Sequence, residues 1–106
     1  MLRAACGTIL PVRAIEKFEL KDAAHQDICA PIVQFVHVST SGEQAFVWAE
    51  TDRHGQTCCI PVCSVFEDGS LPPEHDTAQY IGSVESAGQM RHVYADYWHS
   101  KVVKVD

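Results

Sequence analysis

The chain has 106 residues, 46 % of them apolar and 21 % charged, and a net charge of −6. That length builds one domain around a single core, and no apolar run approaches the ~20 residues that span a bilayer. The charge is unmixed: from Asp22 to Glu85 ten carboxylates stand against one cation, Arg53, a sum of −9, and such a field repels nucleic acid and attracts basic surfaces.

Residues 1–13 read as an N-terminal arm. Their apolar stretch is broken by Gly7 and Thr8 and stopped by Pro11, so it does not make a signal peptide. Residues 14–106 read as one β domain. Ala14 to Leu20 is a first predicted strand and Gln26 to Ala30 a short second one. Ile32 to Ser39 is dense in Ile, Val and Phe. Thr40-Ser41-Gly42-Glu43 then turns the chain, Ala45 to Thr51 returns, Asp52 to Gln56 turns it again, and Thr57 to Phe66 follows. These three runs predict a meander of two hairpins.

Glu67 to Thr77 is the longest loop, and Pro72-Pro73 forbids a ladder there. Gln79 to Val84 and Gln89 to Ala95 form a hairpin around Ser86-Ala87-Gly88, and Lys101 to Val105 adds a last strand. The pattern predicts a mainly β fold with little helix: a small antiparallel sandwich or partly open barrel of about 6–8 strands. Pro61 lies inside a strand-like run, so that strand is expected at an edge or with a bulge.

Five cysteines, Cys6, Cys29, Cys58, Cys59 and Cys63, are an odd count without a disulfide spacing. Free thiols in a reducing cytoplasm are the expectation. His54, Cys58, Cys59 and Cys63 raise the question of zinc. Cys58 and Cys59 point to opposite faces of a strand, and Cys59 and Cys63, on one face, stand roughly 13 Å apart. Two thiolates at ~2.3 Å from one ion cannot be that distant, so no metal or other cofactor is predicted. A catalytic thiol is disfavoured too, because acidic surroundings raise its pKa. Phe46 and Trp48 share one strand face with Phe35 on a neighbouring strand, which predicts core packing. Tyr94, Tyr97 and Trp98, with His92 and His99, form a candidate oligomer interface. Phosphate-cradling and basic RNA-reading motifs are missing from the sequence, which predicts no direct contact with nucleic acid.

The order of features from Phe18 to Tyr94 resembles a family of small proteins common in bacteriophage and prophage genomes, catalogued as a domain of unknown function. The resemblance rests on Lys17-Phe18-Glu19-Leu20, on Pro31 before an Ile/Val strand, on Trp48-Ala49 before an acidic turn, on Tyr80-Ile81-Gly82, and on His92-Val93-Tyr94. Where the family pattern has Thr-Gly-His, this chain reads Cys63-Ser64-Val65-Phe66. The resemblance implies a compact β-rich fold and a phage setting, and it carries no activity. Gly82 is expected to permit a bulge or close packing against an aromatic ring.

Charge pattern and resemblance together predict a non-enzymatic protein of the host-cell cytoplasm. It would inhibit a host defence or nucleic-acid-processing complex by occlusion, as anti-CRISPR proteins do. The partner would be a host protein or protein–RNA complex with a basic surface, steered onto acidic loops. Those loops carry Glu43, Asp52, Glu67, Asp68, Glu74 and Asp76. Alternate turns of a meander lie at opposite ends, so Glu43 is expected beside Glu67, Asp68, Glu74 and Asp76, with Asp52 apart. The alternatives are a self-associating β module, a homodimer joined through the Pro61 strand or the Tyr94–Trp98 group, and a small metal- or thiol-dependent enzyme.

Overall fold

The fold follows from a computed structural model that describes residues 12–67 and 69–103. Eight strands form two antiparallel sheets. The first holds β1 (Arg13–Leu20), β4 (Gln44–Asp52) and β3 (Ile32–Ser41), in that spatial order. The second runs β2 (His25–Ala30), β5 (Cys58–Phe66), β7 (Gln89–Ala95) and β6 (Gln79–Ser86), and β8 (Lys101–Val102) pairs with β5 beyond the end of β7. The sandwich expectation holds, without a closed barrel among the described residues. No helix there is long and apolar enough to cross a membrane. Residues 1–11 of the expected arm lie outside the described residues, and Arg13 already opens β1.

Period-two patterning builds the core. In β4, Ala45, Val47, Ala49 and Thr51 are buried while Phe46, Trp48 and Glu50 alternate to the other side. Facing them from the second sheet are Ile28, Ile60, Val62, Val93 and Ala95. Burying one such branched side chain contributes about 1.5–3 kcal/mol. Phe35 joins this core as expected. Phe46 and Trp48 do not: both stand on the outer face, where the Lys17 ammonium lies 4.5 Å from the Phe46 ring centroid and Trp48 Nε1 donates to Ser39 Oγ. Facing alanines let the two sheets approach, and the large rings go to the side with room.

The meander is corrected. β3 and β4 form their hairpin, closed by Gly42 at φ 63°. β4 is then flanked by β1 and β3 and has no free edge, so β5 crosses to the other sheet. The edge placement of Pro61 fails as well, because β5 is central, with β2 on one side and β7 and β8 on the other. The Pro61 carbonyl accepts from the Asp96 N–H at 2.8 Å, just past the end of β7. A strand residue points its N–H and C=O to the same neighbour. The missing N–H of Pro61 therefore faces the gap where β7 gives way to β8, and the ladder loses nothing.

Two further readings change. Cys29 and Cys59 stand directly opposite in the β2–β5 register and are disulfide-bonded, which corrects the free-thiol expectation for that pair; Cys58 and Cys63 are free. Gly82 does sit at a register shift in β6, but a Cβ there would meet Val38 Cγ2 at 3.4 Å, so its close neighbour is a valine of β3 and not an aromatic ring.

Candidate functional site

The loop after β5 supplies one half of the site. It does not hang in solvent. Pro61, Cys63 and Val65 occupy the outer face of β5 and are nevertheless buried, and an added Cβ on Gly69 of the loop would touch Val65. The loop lies across that face, and Pro72-Pro73 sets a short 3-10 turn over Pro73–His75. The turn delivers His75 onto His25 of β2, the two rings stacked at 5.4 Å.

From the other side come Asp96 and His99, in the link between β7 and β8. Asp96 is 0 % exposed. Its Oδ2 lies 2.9 Å from His75 Nδ1 and 2.7 Å from His99 Nδ1, and Thr77 Oγ1 donates to its Oδ1 at 3.2 Å. Burial works to raise the Asp96 pKa; the hydrogen bonds from His75, His99 and Thr77 outweigh it and hold the carboxyl below its ordinary value. The cleft beside this group has a volume of about 450 Å³ and is lined by His25, Asp27, Cys59, Pro61, Glu74 and His75, and by His99, Ser100 and Lys101. His75, Asp96 and His99 form a group able to hold a metal ion. Sequence reading missed it. The one local signal was Asp96-x-x-His99; His75 is 21 residues away and arrives only because the loop folds back.

The cysteines of the zinc set that strand geometry argued against do not converge. Cys59 is bonded to Cys29, and the Cys58 thiol donates to the Ala30 carbonyl, on the opposite side of β5 from Cys59. Cys63 is buried. Burial first, then Asp96, Glu74 and Asp27, push its thiol up to about 11, so at neutral pH it carries no thiolate.

The acidic residues divide. Glu43, in the β3–β4 turn, lines a second cleft with Glu19, Asp22 and Arg91. Glu67 sits beside it: its N–H donates to the Met90 carbonyl, and Met90 is paired with Glu85 across β7 and β6. Five carboxylates thus gather at one end from four separate stretches of chain. Arg91 under them is buried and donates to Ser64 Oγ and to the Lys21 and Ala23 carbonyls; burial lowers its pKa, with Asp22 working the other way. Glu74 lies instead at the histidine cleft, and Asp76 caps the same 3-10 turn. Asp52 ends β4 about 27 Å from Gln44 at ~3.4 Å per residue, and its Oδ1 accepts the His54 N–H. Asp68 lies outside the described residues.

Tyr94, Tyr97 and Trp98 have different surroundings. Tyr94 packs edge-on against Tyr80, the Tyr97 hydroxyl accepts the Phe35 N–H at 2.8 Å, and Trp98 is 79 % exposed. Tyr97 thereby ties the β7–β8 link to β3 of the other sheet. His92 enters a separate chain on the outer face, with Ser83 Oγ at 2.6 Å from its Nδ1 and the Glu67 carbonyl at 3.1 Å from its Nε2.

A family model matches the chain over residues 11–102, which include both clefts. The chain belongs to the family described as Domain of unknown function (DUF7352). No curated protein matches it, and no solved structure does.

Proposed function

We propose that this is a small phage-type accessory protein that works by binding, docking its acidic end on the basic surface of a host defence or nucleic-acid-processing complex and occluding it. The observation that carries the reading is the gathering of Glu19, Asp22 and Glu43 around one cleft, with Glu67 and Glu85 beside it. Of the two cations lining that cleft, Arg91 is buried and engaged with carbonyls of the chain, which leaves Lys21 as the exposed cation against these carboxylates. On this reading the docking set is Glu43 and Glu67, since Glu74 and Asp76 lie at the histidine cleft and its turn. Long-range attraction to a basic groove sets encounter rate and specificity more than affinity.

The reading places the protein in a host cytoplasm, where a Cys29–Cys59 bond would be reduced. Six register pairs already hold β2 on β5, so the pairing does not depend on it. A pull-down from host lysate, eluted stepwise with salt, tests the reading. A captured complex should release as salt rises to about 0.5 M, where the screening length is only a few ångströms, and Glu43→Lys with Glu67→Lys should abolish capture. Capture that is indifferent to both salt and charge reversal overturns it.

A second reading, self-association, rests on Trp98, which is 79 % exposed. Aromatic anchors of this kind centre interfaces. The route through Pro61 is closed, since β5 is central. Light scattering behind size exclusion decides: a dimer that Trp98→Ser dissociates supports it, and a monomer at high concentration removes it.

A further inference from the structure

The histidine cleft lies apart from the acidic end and brings three candidate ligands together. Two imidazole nitrogens and one carboxylate oxygen converge: His75 Nδ1 at 2.9 Å and His99 Nδ1 at 2.7 Å from Asp96 Oδ2, with all three atoms within 4.8 Å of one another. Ligands bonded to one ion at ~2.0–2.1 Å are themselves about 2.9–3.3 Å apart when they sit on adjacent positions. The two Oδ2···Nδ1 separations are already close to that spacing, and an ion seated among the three atoms would take the place of the two bridging protons.

The site is also held in shape. The His75 N–H donates to the Pro72 carbonyl, the His99 N–H to the Asp96 carbonyl, and the Asp96 N–H to the Pro61 carbonyl. Thr77 fixes the other oxygen of the carboxylate, the kind of outer contact that orients a metal ligand. The charge is right for a dication. Asp96 is buried, Asp27 and Glu74 line the cleft, and Lys101 is the one lysine or arginine among the lining residues.

We infer that His75, Asp96 and His99 form a binding site for a divalent transition-metal ion of the zinc class. Two imidazoles with one carboxylate suit borderline ions such as Zn²⁺ and Co²⁺ better than Ca²⁺ or Mg²⁺, which take oxygen ligands. Three protein ligands leave at least one position open toward the cleft, the arrangement of a site that exchanges water or an added ligand and not of a closed structural one. The rejected alternative is a proton-only cluster, in which the carboxylate merely orients the two rings. An orienting carboxylate in an acid–base dyad serves a single imidazole, whereas here one oxygen serves two.

The test uses the full chain, stripped with a chelator and titrated with Co²⁺ by visible absorption and with Zn²⁺ by calorimetry. One Co²⁺ per chain is expected, with ligand-field bands, no thiolate charge-transfer band, and displacement by Zn²⁺. His99 is half-exposed and outside the core, so His99→Ala should fold and weaken binding at least about tenfold. His75→Ala should do the same; should it fail to fold, His99→Ala and His99→Gln decide alone. The exposed His37→Ala and the free thiol Cys58→Ser should leave binding unchanged. No saturable binding of either ion by the stripped protein, a thiolate band, or affinity in His99→Ala within about twofold of wild type would each overturn the site.

Discussion

The two clefts use carboxylates in opposite ways. At the acidic end, charge is plural and solvated: Glu43 and Glu67 are exposed, and their field is screened within about 10 Å at 0.1 M salt. At the histidine cleft one carboxylate, Asp96, is fully buried and takes three side-chain hydrogen bonds. The first can steer a partner and contributes little to the fold. The second is part of the fold and presets a chemistry. Ten carboxylates in the middle of the sequence drew attention to the first, but the residue with the largest local consequence, Asp96, lies outside that segment.

The sharpest break of this contrast is Asp96→Ala. It leaves three donors without an acceptor, and unfolding in urea should show a loss of about 3 kcal/mol. Arg91→Leu comes next. It strips the Lys21 and Ala23 carbonyls and Ser64 of their donor at the very end where surface charge is cheap to change. A loss of about 2 kcal/mol is expected by the same measurement, so at that end too the buried charge is the one that matters.

The thiol of Cys63, near the histidine cleft, gives a pH signature. Its folded value of about 11 exceeds the ordinary 9.0, so between those values the unfolded chain gives up a proton that the folded chain keeps. Stability is complete below pH 9 and falls as pH rises toward 11. Tyr97, raised chiefly by burial, acts in the same direction. Thermal melts across that range should show the fall, and Cys63→Ala should flatten it. Smallest of all, Glu43→Gln and Glu67→Gln should each leave the urea midpoint within about 0.5 kcal/mol of wild type. A larger change would mean that the acidic end is structural, and the contrast between the clefts would collapse.

Strand positions were legible in the sequence almost residue by residue. Ile32 to Ser39, Ala45 to Thr51 and Gln89 to Ala95 all lie inside observed strands, because β-branched alternation and Gly turns act locally. Pairing was not legible beyond hairpins. Nothing in Thr57 to Phe66 says that its neighbours are β2, β7 and β8, since that depends on both edges of β4 being taken by β1 and β3. The aromatic face of β4 was visible as a face, but its direction was not, because Ala45 and Ala49 look weaker than Phe46 and Trp48 until a second sheet demands small residues.

What the sequence by itself determined is the class of fold and the sign of the surface. Periodicity and net charge are sums over the chain and need no coordinates. What the tertiary structure decided is every site. Cys29 meets Cys59. His75 reaches Asp96 across 21 residues because a proline-rich loop lies down on the outer face of β5. Such meetings depend on which strands share an edge, a property of the assembled sheets that no local run of residues contains.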